Sequence, residues 1–316
     1  MKTYALHGLS IASEISLDAW EVGSSSPDVV LSVGDSRPVP DQEPAGTLLS
    51  HIDMVDSDGR RLLSTVETGD GYLLRYHGLA EFTVSSDLSS VTMALDPVAT
   101  VEMGSIIAGA GLGAFLVTMG SDGVFHASAY RLGNRVVAVV GDTGFGKSTL
   151  AALACAAGAD LISDDTLRVG FEEPAVWCYP GTRSVRLRSG AANLASLFPG
   201  IDAVPTVDTR TRLELARAAP QGGPLAPMEL AAVVFPSTGQ DRSLESLSPA
   251  DALARLLPCA RMWNVVDPSI QARHFSTCAA VARNVPAYDL SLSEGYWLSA
   301  GVGSTLVELA IGVPAR

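Results

Sequence analysis

The sequence predicts an α/β chain of α+β arrangement in two parts, a small β-rich region over residues 1–103 and a helix-and-strand region over 104–316. Two observations predict it. The first hundred residues break into short alternating apolar runs parted by turn residues. Further on, a wholly apolar β-branched run, VVAVV (Val136–Val140), is followed by a glycine loop and an Ala/Leu-rich stretch, the order strand, loop, helix.

In chain order, Tyr4 to Leu17 carries short apolar alternations broken at Gly8 and Ser13. VGDSRPVPDQEPAG (Val33–Gly46) is a Pro- and Gly-rich loop, and Tyr72–Tyr76, Ala80–Ser85 and Val91–Leu95 are strands parted by HG and SSDLSS turns. Met103–Gly120 carries no charge and approaches the length of a membrane span, but it holds five glycines and has no basic flank. It reads as a buried helix followed by a strand, ending at the turn SDG. Lys147–Ala157 reads as a helix stopped by Gly158, with a strand at Asp160–Ser163. Ala203–Met228, rich in Pro, Gly and Arg, reads as a mobile loop region. A strand at Leu230–Phe235 and a helix at Pro249–Leu257 follow.

Hydrophobic residues make up 47% of the chain and charged residues 17%, a composition that supports a core and argues against wholesale disorder. The net charge of −13 disfavours a nucleic-acid partner, which needs a basic face to displace counterions. The acidity is concentrated in front: 16 acids and 5 bases up to residue 110, then 18 and 16. That half could steer a basic peptide, or simply present a solvated surface. Cys155, Cys178, Cys259 and Cys278 have no C-x-x-C spacing and read as reduced, buried thiols of a cytoplasmic protein. The first fifteen residues alternate and carry charge early, unlike a signal peptide. The expectation is a soluble protein with no membrane contact.

The sharpest signal is Gly141-Asp142-Thr143-Gly144-Phe145-Gly146-Lys147-Ser148, followed by Thr149, which satisfies G-x-x-x-x-G-K-[ST] in full. Glycines let backbone N–H groups turn inward onto phosphate oxygens, and the helix that follows adds its positive end. Lys147 supplies a mobile ammonium to the β- and γ-phosphates, and Ser148 a hydroxyl for Mg²⁺. The chain has only two lysines, Lys2 and Lys147, so the one internal lysine stands where this chemistry demands it. Seventeen residues on, Asp164 and Asp165 end the next strand. One can help hold Mg²⁺ and the other accept the proton of an attacking hydroxyl, although a turn-forming Asp pair is an alternative. His126, in VFHASAY, is a weaker candidate, and Cys155 is most simply core.

FHAS (Phe125–Ser128), GDTGFGKST and DLISDD, in this order and spacing, resemble the catalytic domain of HPr kinase/phosphorylase. The resemblance implies a PEP-carboxykinase-like phosphate-loop fold with a strand-rich mixed sheet, and oligomers are common in that family. YALHGLSIASEISL and YPGTRSVRL (Tyr179–Leu187), with SLSPADALARLL and VPAYDLSL, resemble a branch of it, kinases encoded with lasso-peptide biosynthesis genes, which phosphorylate a C-terminal serine of the precursor. Carried over by position, the loop would bind ATP and Ser148 and Asp165 would hold Mg²⁺. Asp164, as the first of the pair, would be the general base, with His126 near the γ-phosphate or orienting an Asp. The chain lacks the EVRGLG-like signature of the true HPr kinases, whose glutamate and arginine the resemblance ties to metal binding and to the phosphorylase reaction, so HPr as acceptor and the reverse reaction stay open as alternatives. Arg183, Arg186, Arg210, Arg212 and Arg261 are candidates for stabilising transferred charge, against a plain surface role for most.

The expected activity is therefore Mg²⁺- and ATP-dependent phosphorylation of a peptide serine, with the β-rich region positioning the peptide. The rivals are an HPr-type or small-molecule kinase, a non-catalytic nucleotide-binding scaffold, and a plain NTPase switch.

Overall fold

The computed structural model describes residues 1–23, 26–51, 62–120, 123–207, 209–261, 267–293 and 300–310. Among these residues the chain is a mixed α/β protein with two large sheets and a small one. The first sheet runs in the order Trp20–Glu21, Lys2–Leu6, Leu9–Ser13, Val29–Val33, Ser90–Leu95, Ala80–Ser85, Gly71–Tyr76, Leu63–Thr68, Thr47–His51. From Ser90–Leu95 outward it is an antiparallel meander. The strands predicted at Tyr72, Ala80 and Val91 are all present, and the alternation is the cause: Val91 and Met93 are buried where Ser90 and Thr92 face solvent.

The buried face of this sheet is covered by one long helix, Val101–Gly120. Thr100 caps it, its Oγ1 accepting from the Met103 N–H at 3.1 Å. Ile107, Leu112 and Phe115 share a core with Leu74, Phe82 and Met93. The expected helix-then-strand within Met103–Gly120 is corrected: the whole stretch is helical, and the strand Gly123–Phe125 comes after it. Ala108–Leu112 (AGAGL) winds as a π turn, and its first four residues, all Ala or Gly, put little side chain in the way of the wider winding. The boundary expected at residues 103/104 falls in the first turn of this helix. Ser121 and Asp122 of the expected SDG turn lie outside the described residues. The helix is long and apolar enough to cross a bilayer, yet 67% of its most apolar window is buried within the protein.

The second sheet is mixed, in the order Gly123–Phe125, Leu167–Glu172, Ala175–Cys178, Met228–Thr238, Arg135–Val140, Ala127–Leu132, Asp160–Ser163, with Ala287–Leu292 added in parallel beside Met228–Thr238. Arg135–Val140 is buried along all but its first residue, as its run of β-branched residues predicts. The region expected to be a mobile loop, Ala203–Met228, instead contributes Val204–Pro205 and Thr211–Glu214 to a three-stranded sheet with Ser184–Leu187. Leu213 is fully buried there, so apolar anchoring overrides a loop-like composition.

Two segments knit the halves together. The His7 N–H donates to the Pro180 carbonyl at 2.8 Å, and Arg168 donates to the His7 carbonyl at 2.8 Å. Arg183 stacks 4.2 Å from the Trp20 ring. The N-terminal hairpin and YPGTRS, far apart in sequence, are thus one junction.

The helix Lys147–Ala156 buries Leu150, Leu153 and Cys155 and shares a core with Val302, Leu306 and Leu309 of the helix Ala300–Ala310. A Cβ on Gly303 would meet the Leu153 carbonyl oxygen well inside contact distance. That backbone atom cannot step aside, so Gly303→Ala is expected to cost roughly 1–3 kcal/mol, read as a lower urea midpoint. Gly190→Ala, where a Cβ meets nothing within 4 Å, should stay within about 0.5 kcal/mol.

Burial pushes the His7 ring down to about 4, and does the same for His274. Between there and the ordinary value of 6.5 the unfolded chain binds protons that the folded chain refuses, so stability falls as pH drops through that window. His7 has φ +53, a conformation asparagine tolerates. His7→Asn is expected to flatten the pH dependence of the urea midpoint by about one proton; an unchanged slope would refute the assignment.

Candidate active site

The glycine loop leaves the buried end of Arg135–Val140 and turns into the helix at Lys147. Gly144 and Gly146 take φ of +97° and +70°, which other residues rarely adopt. Gly146 is the cap residue and offers no side-chain acceptor, and no acid stands in the first turn. The first N–H groups of this ten-residue helix therefore lack an intrahelical partner and face the loop, with the positive end of the helix behind them. Lys147 Nζ is folded inward, donating to the Asp142 carbonyl at 2.8 Å. Burial lowers its pKa while Asp165 and Asp164 oppose that. Thr143 Oγ1 lies 3.3 Å from His126 Nε2, and the Phe145 ring is 43% exposed at the loop tip.

The adjacent aspartates do different things. Asp164 is buried, and its Oδ1 accepts from Ser128 Oγ at 2.6 Å and from Ser148 Oγ at 2.7 Å. Its Oδ2 accepts from the Arg186 N–H at 3.1 Å, and its own N–H donates to Thr182 Oγ1 at 3.1 Å. The Ser148 hydroxyl is thus bonded to Asp164 and not to Asp165, the partner expected from the resemblance. Asp165 has φ +71, and the Thr166 N–H donates back to the Asp164 carbonyl at 2.9 Å. That is a γ-turn of the strained, positive-φ hand. It turns the Asp165 carboxylate away from its neighbour, onto Arg261 Nη2 at 2.8 Å and 3.4 Å from His126 Nδ1. Burial alone would raise the Asp165 carboxyl, but Arg261, His126, Arg186 and Arg210 outweigh it and hold it well below the carboxylate range.

His126 sits just outside the strand Ala127–Leu132. Its Nδ1 lies 2.9 Å from Arg261 Nη2 and 3.0 Å from the Asp165 carbonyl. Bare, that nitrogen accepts from the guanidinium; protonated, it donates to the carbonyl. Burial first, then Arg261, lowers the ring pKa, so His126 is neutral near pH 7.

Several of these groups, though not Asp164, border one cavity of about 650 Å³, within the roughly 300–1,000 Å³ of ligand sites. Lys147, Ser148, Thr149 and Asp165 line it, together with Arg186, Arg188, Arg210 and Arg261. Of the other predicted arginines, Arg183 pairs with Glu214 and neither it nor Arg212 lines the cavity. Gly144, Gly146 and Thr143 also border it. Cys155 is core and its thiol is pushed up to about 12 by burial. Ser128 and Thr182 were not singled out from sequence. Ser128 stands two residues after His126 inside a quoted motif, but the sequence gives no sign that its hydroxyl reaches Asp164. Arg261 was one arginine among five, and its partner is 96 residues away in the chain.

Among the described residues no group of three or more His, Cys, Asp and Glu side chains is arranged to hold a metal. The Ser148 hydroxyl and the Asp164 carboxylate are hard oxygen donors side by side, which fits a Mg²⁺ ion that keeps waters and takes its remaining ligands from phosphates.

No family model matches the chain, and no curated protein matches it. Among solved structures the chain is similar to the HPr(Ser) kinase/phosphatase from Coxiella burnetii, at 10% identity over 60% of this chain and 93% of that one, with a TM-score of 0.29. A superposition that loose assigns neither fold nor activity.

Asp164→Ala would leave two hydroxyls and an N–H without their acceptor, at roughly 1–3 kcal/mol for each group left unpaired. Its urea midpoint is expected to fall further than that of Asp165→Asn, which keeps a residue tolerant of the positive φ.

Proposed function

We propose that the chain is an ATP- and Mg²⁺-dependent kinase that phosphorylates a serine hydroxyl of a peptide. The observation that carries this reading is the placement of Asp165: a carboxylate turned into the same cavity as an uncapped helix N-terminus, Lys147 and Arg261. The loop amides and Lys147 hold the phosphates, and Ser148 with Asp164 holds the cation, which when bound neutralises phosphate charge. The roles of the two aspartates are thus exchanged relative to the expectation from their order. Asp164 already accepts from three donors and keeps one acceptor position beside Ser148 for a cation, whereas Asp165 lines the cavity.

In the transfer the serine oxygen attacks the γ-phosphorus, the bond from that phosphorus to the bridging oxygen of ADP breaks, and the serine proton passes to Asp165. Arg261 stands beside the developing charge, and His126 fixes the Asp165–Arg261 pair from the side. The sequence resemblance to kinases of lasso-peptide precursors supports a C-terminal serine as the acceptor. The PEP-carboxykinase-like assignment rests on that same resemblance.

The test is intact-mass analysis of peptides ending in free serine, ending in amidated serine, or carrying internal serine, each incubated with the protein and Mg-ATP. One added phosphoryl group on free-ended serine is expected. Asp165→Asn should cut the rate by about 10²–10⁴ while the affinity for Mg-ATP is retained. Nucleotide bound tightly with no peptide gaining mass would sink the kinase reading in favour of a nucleotide-binding scaffold. Equal loss in Asp164→Asn with loss of Mg²⁺ dependence would support the exchanged roles.

A further inference from the structure

The cavity has two chemically different walls. One is the loop, its helix and the arginines. The other comes from the first sheet and the long apolar helix: Leu62, Leu79, Met103, Ile106 and Ile107, with the Tyr76 hydroxyl the one polar side-chain group that these elements add among the described residues. Phosphate chemistry has no use for such a surface. Its position decides what it is for. Thr166, next to Asp165, donates from Oγ1 to the Ala110 carbonyl at 3.3 Å, which ties the π turn to the γ-turn. Tyr76 feels the charges of Arg261 and Asp165. The apolar wall therefore borders the proton-accepting end of the cavity, where an acceptor must arrive.

Tyr76 is held there by packing. Its ring meets Phe82 edge-on at 6.2 Å between centroids. A Cβ on Gly111 would fall on the Tyr76 hydroxyl, so that glycine is what leaves the phenol room. Burial raises the phenol pKa, which keeps the group a hydrogen-bond donor.

We propose that the first sheet and the π-turn helix form the acceptor subsite, one that takes a hydroxyl-bearing peptide residue flanked by a large apolar side chain, with Tyr76 donating to the acceptor segment. This rests on the kinase reading above and adds the class of peptide to it. The flanking side chain is buried against Ile106 and Leu79 while its serine reaches Asp165.

The experiment uses two heptapeptides labelled with a dye at the N-terminus and ending in free serine, preceded by Leu-Leu in one and Asp-Asp in the other, with binding read by anisotropy in the presence of a non-hydrolysable Mg-ATP analogue and transfer read by mass. For the wild-type chain, KM and Kd for the Leu-flanked peptide are expected to be lower by about tenfold or more, the effect of burying a Leu-sized side chain. Ile106→Asp should erase that preference with Mg-ATP affinity changed by less than about twofold, and Ile106→Leu should restore it. Tyr76→Phe should keep the preference and lower kcat by about tenfold, the value of one hydrogen bond. Gly111→Ala, by displacing the phenol, should do the same. Equal affinity for both peptides overturns the proposal. So does an Ile106→Asp variant that loses Mg-ATP as strongly as peptide, because the apolar wall would then hold the nucleotide base. If no peptide is phosphorylated, the kinase reading fails by itself. The anisotropy arm still decides the subsite, which stands if Leu-flanked binding is lost in Ile106→Asp and falls if neither peptide binds.

Discussion

The site depends on one strained turn. Two adjacent carboxylates side by side would repel each other, and one of them would be protonated. Here the positive φ of Asp165, closed by the hydrogen bond from Thr166 to Asp164, sends the two in different directions. One goes beneath the loop to Ser128 and Ser148, and the other goes into the cavity to Arg261 and His126. A non-glycine residue in this conformation costs of order 1–3 kcal/mol. The surroundings that impose it are those that give each carboxylate its own set of donors. Strain and electrostatics are the same feature: without the turn the pair would share one environment, and the division into a carboxylate bonded to Ser128 and Ser148 and one paired with Arg261 would vanish.

What holds the turn is the junction between the halves. Gly181 donates its N–H to the Ile162 carbonyl at 2.9 Å, one strand position before Ser163, and Thr182 receives the Asp164 N–H. On its other side the same segment meets His7 through Pro180. A Cβ on Gly181 would collide with Ser163 Oγ and with the His7 ring, so the three segments approach as closely as backbone allows. The N-terminal hairpin is thereby part of the scaffold under Asp164. This gives physical content to two sequence segments, YALHGLS and YPGTRS, whose resemblance to known kinases carries no chemistry when each is read alone.

The sequence made the glycine loop, its strand and its helix legible as structure because each has a local signature: β-branched residues, glycines at fixed offsets, an Ala/Leu run. The meander was legible for the same reason, through alternation. The order of the two aspartates was not. Which carboxylate meets Ser148 depends on one residue's φ and on partners from Ser128, Arg186 and Arg261, none of them local in sequence. The apolar wall was hidden too, since Leu62, Tyr76 and Ile106 come from a strand edge, a strand end and a helix, with no shared motif. In Ala203–Met228, Pro, Gly and Arg looked like a loop because the anchors that pair it, Val185 and Leu187, lie elsewhere in the chain.

Charge adds a last constraint. The chain carries a net −13, yet four arginines and Lys147 border the cavity against the one carboxylate of Asp165. The local sign is opposite to the global one, so the cavity is an anion site within an acidic protein. At a Debye length of about 8 Å the outer acids are screened from the cavity under physiological salt, while the cations lining it are not screened from whatever enters. Anion binding is then set inside the cavity, whereas on the peptide-kinase reading proposed above encounter with a long flexible substrate would be set by the rest of the chain, most of whose excess acid lies in the first 110 residues. A peptide with basic residues remote from its acceptor and apolar residues beside it would satisfy both fields. That combination follows from where the charges and the apolar wall stand.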